Sequence, residues 1–400
     1  MGLMMKAIVR RAVLVFVFSF AATARAADPG VTAGEIKIGN IACETGWMSD
    51  YAAITRSEAA YFTMVNDHGG VHGRKINFVS LDCGSDMAHA VELTHKLVDE
   101  EKVFLVFGSV GGPAALEVRP FLNDQKIPEL FVASPTSKLN DPAHFPYTMG
   151  FAPSGRIEAA VFAKYILDNK PKGKIAVLHS SDEAGDDLLA GLHDGLGDRY
   201  AGMVIADESY ANADKDIATH VLACKNSGAD VFCDFSMGKF TTAAVRQAYD
   251  LDWHPLQFIP SSSLSVAAFL DPAGLDKAKE ILTAARSKGW NSTLALRDSE
   301  VRDYMAWLQK YNPQAKERDQ LNVLGYELGE TMTAVLDQCG DDVSREHVMN
   351  IAKKLDLNIG MLLPGIKVQT TPTDYRPVHQ LFLMQFNGQK WNRIGNVVGD

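Results

Sequence analysis

Basic residues, cysteines and long apolar runs are all in short supply in this chain, and each shortage removes a class of function. Lys and Arg number 39 against 49 Asp and Glu, giving a net charge of −10. Nucleic-acid binding favours a basic face, so no nucleic-acid partner is expected. The five cysteines form no Cys-x-x-Cys pair and no Cys/His cluster at zinc spacing, so no metal site is expected. No unbroken apolar run reaches about 18 residues, the length a membrane span needs, and a membrane-embedded protein is not expected. Neither a Gly-x-Ser-x-Gly nucleophile elbow nor a Walker-type phosphate loop occurs. Ala42-Cys43-Glu44-Thr45-Gly46 follows the first strand pattern where a dinucleotide-binding glycine fingerprint would stand. The glycines of Gly191 to Gly197 lie in and after a helix pattern. The eleven histidines are scattered, and His179, at a strand end, reads as a packed structural residue. No enzyme activity, catalytic residue or cofactor is therefore expected.

What is present begins with a processing segment. Lys6, Arg10 and Arg11 form a basic region, Val13 to Ala22 is almost entirely apolar, and Ala24-Arg25-Ala26 gives a small-x-small cleavage pattern. Cleavage after Ala26 leaves 374 of the 400 residues and, with Lys6, Arg10, Arg11 and Arg25 removed, a net charge of −14. Cysteine first appears at Cys43, too far along to carry a lipid anchor. The mature chain is expected to be exported and soluble, secreted through a cleavable signal peptide, without a lipid anchor and as a monomer. Its length exceeds what one hydrophobic core usually supports, so two lobes are expected.

Helix and strand patterns alternate from Glu35 to about Pro260. A strand, Glu35 to Ile41, and a turn at Thr45-Gly46 lead into an amphipathic helix from about Ser57 to Asn66. The linker Gly69-Gly70-Val71-His72-Gly73-Arg74 and a second strand, Lys75 to Leu81, complete a βαβ unit. Later strand runs are nearly continuous in apolar residues, as when helices cover both sheet faces. The fold class is α/β with doubly wound parallel sheets. Cys43 follows the first strand and Cys83 the second. Adjacent parallel strands lie about 4.8 Å apart, so a Cys43–Cys83 disulfide is the expected pairing, with free thiols the alternative. Asn387-Gly388 between two apolar runs predicts a terminal hairpin.

This order, with a Gly-Gly-x-x-Gly-Arg linker behind an export signal, resembles the type I periplasmic solute-binding proteins, and among them the branched-chain amino-acid (Leu/Ile/Val) binding family of ABC importers. The resemblance covers essentially the whole mature chain. It implies two lobes, residues 27–150 with about 285–362 and residues 151–284 with about 363–400, joined by a three-segment hinge. Tyr147 to Pro153 and Ile281 to Ala285 match two of the crossings.

Ligands of open parallel sheets bind at the carboxyl ends of the strands, so the strand-to-helix turns are the candidate site. In the sharpest, Gly108-Ser109-Val110-Gly111-Gly112-Pro113, two glycines allow close backbone approach and Pro113 suits a first helical turn. A helix start there offers free N–H groups to a carboxylate. The family's ligand-carboxylate loop aligns at this position. The serine that commonly holds the carboxylate falls at Gly112, which leaves Ser109, Val110, Gly111 and Gly112 to serve. A second family ligand loop aligns with Ala133 to Ser137, nominating Ser134, Thr136 and Ser137. Trp47, Ser49 and Tyr51 occupy the first turn, as a lid over the cleft or as packing under it.

The second lobe departs further from the amino-acid binders. Their aromatic wall falls near Ala184, so Tyr210 or Phe235 must supply it or it is absent, and Ser236 lies in the same row of turns. Their acidic partner for the ligand's ammonium falls in Ser261-Ser262-Ser263, where no carboxylate stands and Ser262 is the nominated contact. A buried ammonium without a counter-charge is costly. Either Asp182 or Glu183 replaces it, or the ligand is an amine-free aromatic or aliphatic acid, which is the favoured reading. The implied function is delivery of a small carboxylate-bearing ligand to the membrane permease of an ABC importer, with a sensory module as the alternative.

Overall fold

The computed structural model describes residues 28–289 and 297–399. The export segment and its cleavage site at Ala26 lie outside them. The chain builds two open sheets. The first, ordered β2-β1-β3-β4-β5, is wholly parallel and uses β1 (Glu35–Ala42), β2 (Lys75–Asp82), β3 (Leu105–Phe107), β4 (Glu129–Val132) and β5 (Thr148–Gly150). Between these strands run α1 (Ala52–Asp67), α2 (Met87–Asp99) and α3 (Gly112–Asp124).

After β5 the chain crosses to the second sheet through α4 (Gly155–Asn169). That sheet is ordered β14-β13-β10-β9-β8-β6-β7, from β6 (Ile175–Ser180), β7 (Val204–Tyr210), β8 (Val231–Phe235), β9 (Leu256–Phe258), β10 (Leu282–Ala285), β13 (Gln380–Phe386) and β14 (Trp391–Gly399). Its helices are α5 (Glu183–Leu196), the short α6 (Tyr200–Met203), α7 (Ala218–Asn226), α8 (Lys239–Asp250) and the short α9 (Asp271–Ala273). The predicted hairpin forms, and β13 pairs antiparallel with both β10 and β14. A two-stranded ribbon of β11 (Asp356–Leu357) and β12 (Val368–Gln369) had no sequence signal of its own.

Side-chain caps fix where several helices begin. Ser154 accepts from the Ile157 N–H ahead of α4, Asp86 from His89 ahead of α2, and Asp182 from Ala184 and Gly185 ahead of α5. Each such cap is worth about 1 kcal/mol. The carboxyl-terminal helices are α10 (Ser299–Tyr311), α11 (Leu321–Cys339) and α12 (Arg345–Ala352). α11 lies directly along α1. A Cβ at Gly325 would stand 2.2 Å from the Ile54 carbonyl oxygen, and one at Gly329 would stand 2.6 Å from the Tyr61 ring. Those two glycines bring α11 back against the first sheet's helix layer.

Two returning segments pair where the chain passes between the sheets. Lys288 N–H donates to the Met361 carbonyl at 2.6 Å, and Leu363 N–H to the Arg286 carbonyl at 2.8 Å. The first crossing is tied down as Gly155 N–H reaches the Pro135 carbonyl at 2.8 Å. Among the described residues, no helix is long and apolar enough to cross a membrane.

Candidate functional site

The carboxyl ends of both sheets face one cavity of about 620 Å³. The first sheet contributes the turns after β1, β2, β3 and β4, and the second those after β6, β7, β8 and β9. Arg286 and Ser287, just past β10, and Gln320, Leu321 and Leu324, at the start of α11, complete the wall. This is the position that the parallel topology prescribes for a ligand.

Nine of the nominated residues line it: Trp47, Tyr51, Val110, Gly111, Gly112, Ser134, Thr136, Asp182 and Ser262. Gly111 holds φ at +112°, a conformation open to glycine and to few other residues, and from it α3 starts with Pro113 in its first turn. A Cβ on Gly112 would lie 2.6 Å from Ser134 Oγ. The serine missing at position 112 therefore has a physical counterpart, because the Ser134 hydroxyl fills the space a side chain there would need. Tyr51 packs rather than covers. It is 5% exposed, and its ring lies 5.8 Å from that of Phe269.

Six nominated residues lie elsewhere, each for a local reason. Ser49 opens a short 3-10 turn and faces solvent. Ser109 turns its hydroxyl inward to accept from the Ile41 N–H at 3.1 Å. Ser137 gives both its N–H and its hydroxyl to Asp187 of α5. Tyr210 is buried with its ring 4.6 Å from Phe240, and its hydroxyl accepts from the Met237 N–H at 3.0 Å. Phe235 is fully buried and stacks on Phe162. Ser236 is buried and donates to Asp234. Neither Tyr210 nor Phe235 lines the cavity, and Ala184 stands on the wall where the aromatic was expected.

The expected Cys43–Cys83 bridge is not made in this structure. Both residues are buried thiols on the cavity wall, with Sγ atoms 3.8 Å apart. The register that pairs Ala42 with Asp82 brings them together as the spacing predicted. Cys224, Cys233 and Cys339 are buried thiols as well.

Acidic groups around the cavity are mostly committed. Asp182 accepts from Ser180 Oγ at 2.6 Å, from the Ala184 and Gly185 N–H groups, and from Asn212 Nδ2 at 2.8 Å. Glu183 stands 4.0 Å from Lys138, and Asp86 and Asp186 are exposed. Behind the serine turn lies a carboxyl that no local pattern places there. Glu158 of α4 accepts from Ser261 N–H at 2.6 Å and from Ser261 Oγ at 3.0 Å. It is 1% exposed, and burial pushes its pKa up to about 8.

Sequence reasoning missed Arg286, the one cationic residue on the wall among those described. A positive charge ending the apolar run Ile281 to Ala285 was the available signal. It also missed the thioethers Met48, Met87 and Met237 and the leucines at the start of α11, which make the wall largely apolar.

The periplasmic binding protein family matches residues 35–390 of the chain. The chain is 25% identical over 202 residues to the Leu/Ile/Val-binding protein of Escherichia coli (strain K12), a match covering 50% of this chain and 53% of that protein. It thus spans about half the length of that relative. Among solved structures it resembles a branched-chain amino-acid ABC transporter protein from Thermus thermophilus with bound valine, at TM-score 0.82 and 14% identity, covering 92% of this chain and 97% of the other. It also resembles a fatty-acid ABC transporter substrate-binding protein from Thermomonospora curvata, at TM-score 0.77 and 16% identity, covering 94% and 95%.

Proposed function

The chain belongs to the periplasmic binding protein family, and on that premise we propose that it is the periplasmic substrate-binding component of an ABC importer. Its lobes, residues 27–150 with about 285–362 and residues 151–284 with about 363–400, trap a small carboxylate-bearing ligand between them. Closure about the three connecting segments is the hinge motion such a cleft supports. The permease then recognises the ligand-stabilised form, a population shift driven by contacts to both lobes.

The observation that carries the ligand class is the state of the acids around the cavity. Asp182 spends its oxygens on capping α5 and holding Asn212, and Glu158 is turned onto Ser261. A ligand ammonium would find no desolvated, uncommitted carboxylate among the described lining residues, and an unpaired buried ammonium is expensive. The glycine start of α3 favours a negative group in the same space. The apolar wall suits an aromatic or aliphatic body. We therefore rank amine-free carboxylic acids above leucine, isoleucine and valine. A cavity of about 620 Å³ sits inside the range of roughly 300–1,000 Å³ usual for drug-sized ligands.

A thermal-shift screen of aromatic acids, aliphatic acids and the three branched amino acids tests this ranking. A ligand at 100 times its Kd adds about 2.7 kcal/mol of stability. Melting shifts from amine-free acids support the proposal. Shifts from the branched amino acids alone would reverse the ranking, and growth on the identified acid in an importer-deficient strain separates uptake from sensing.

A further inference from the structure

Arg286 leaves β10 at the point where the chain crosses between the sheets, and its side chain is only 9% exposed. A guanidinium has five N–H donors in a planar fork. This one is poorly supplied with acceptors. Its ion-pair partner, Glu327 of α11, is reached through one nitrogen at 3.5 Å, the outer limit of a hydrogen bond. Its Nε is buried with no partner. The ring of Phe151 lies below the guanidinium at 5.8 Å, giving a weak additional contact. The residue nevertheless lines the cavity, where it is the one cation among the described lining residues.

A buried guanidinium is stable only when paired and hydrogen-bonded. Glu327 meets that need incompletely. Its carboxyl is fully buried, its second oxygen has no partner, and desolvation holds its pKa above the usual range. Glu158, the other acid whose charge acts on Arg286, is likewise raised by burial and turned onto Ser261. Arg286 is thus an incompletely paired guanidinium on the wall of the ligand space.

Resting on the proposed carboxylate trap and deepening it, we propose that Arg286 is the anion-binding residue of the cleft, taking the ligand's carboxylate through the part of the fork that Glu327 leaves unused. The α3 start adds a weaker, dipolar attraction, whereas a desolvated Arg–carboxylate pair is charge-assisted and directional. Because Arg286 sits on a crossing segment, a carboxylate bound there contacts the hinge itself.

The test measures calorimetric affinity of the wild-type protein, R286Q and R286K for benzoate, octanoate and L-leucine, each beside its primary amide. The expected result is that whichever carboxylate binds the wild type loses at least 30-fold in affinity in R286Q and about tenfold in R286K, while the matching amide changes by less than threefold. R286K keeps the charge and so guards against a folding failure in R286Q. Carboxylate affinity unchanged in both variants overturns the role of Arg286 and leaves the proposed function standing. Equal losses for acid and amide also overturn it, since they mark a structural role. Failure of all three carboxylates to bind the wild type at millimolar concentration overturns this inference and the carboxylate reading together.

Discussion

The Ser137 hydroxyl donates to Asp187 Oδ1 at 2.6 Å, and the Ser137 N–H reaches Oδ2 of the same carboxylate at 2.5 Å. Ser137 follows the last buried strand before β5 of the first sheet, and Asp187 sits in the first turns of α5 on the second. Two donors from one residue thus clasp one carboxylate across the cleft, with Lys138 and Glu183 4.0 Å apart beside them. Asp187 is only 8% exposed, so the pair is better shielded than a surface contact.

We predict that this clasp holds the closed arrangement. Hydrogen bonds to a charged group contribute about 1.5–3 kcal/mol each. D187A should therefore weaken ligand binding by about tenfold or more, and S137A, which keeps the backbone donor, by less. Small-angle scattering should show a larger radius of gyration for D187A without ligand. Unchanged affinity and unchanged radius in D187A would remove the clasp from the closure mechanism.

Stability should fall as pH rises from about 5 to 9. Burial raises Glu129 and Glu158 to about 8 and Asp234 to about 7. In the unfolded chain these groups release their protons near pH 4. Between those limits the native state binds more protons, so the stability from these groups is complete below the unfolded pKa and is lost as pH climbs through the folded one. Asp82, Asp230 and Asp298, lowered by their hydrogen bonds, act oppositely and only at more acid pH. E129Q and E158Q should each flatten the fall in melting temperature. A profile that is flat or rising over pH 5–9 contradicts the assignment.

The close fit between Gly112 and Ser134 gives a third expectation. G112A places a methyl where Ser134 Oγ and, at 3.1 Å, Thr136 Cγ2 already stand. Overpacking of this kind costs about 1–3 kcal/mol. The displaced groups belong to the cavity wall, so ligand affinity should drop by about tenfold, equivalent to ~1.4 kcal/mol. The double variant G112A/S134G relieves the clash and should regain much of the lost stability. No recovery in the double variant means that the strain lies in the Gly111–Gly112 backbone instead.

Much of the fold could be read from the sequence because its signals are local. The apolar run Val231 to Phe235 and the helix Ser299 to Tyr311 begin and end as their periodicity and caps predict. The site was legible only as far as the chain's own turns define it. Gly111 and Gly112 follow from strand ends and glycine placement, and Ser134 from the family loop that aligns with Ala133 to Ser137. Ser109 and Ser236 did not, since a serine in such a turn can face the ligand or turn inward, and here Ser109 turns to its tertiary neighbour Ile41 and Ser236 to Asp234, two residues back. Glu158 and Ser261 are 103 residues apart, and no local pattern joins them. Arg286 was within reach, because a buried strand rarely ends on an arginine without a use for it.

The last expectation concerns Cys43 and Cys83. Their thiols stand 3.8 Å apart on the cavity wall, and the contact between them lowers Cys83 below the usual thiol range while that same contact and burial hold Cys43 protonated. The thiolate is the reactive form, so Cys83 is the nucleophile of the pair. We predict that mild oxidation of the ligand-free protein joins the two, and that non-reducing peptide mapping recovers them as one linked species. Closing a loop of about 40 residues stabilises by at most about 4 kcal/mol in the chain-entropy account, so the oxidised protein should melt several degrees higher than C43S/C83S. Ligand should slow the oxidation, because both sulfurs lie on the surface it covers. Recovery of both as alkylated thiols after oxidant, at the same rate with and without ligand, would show that the pair is inert packing.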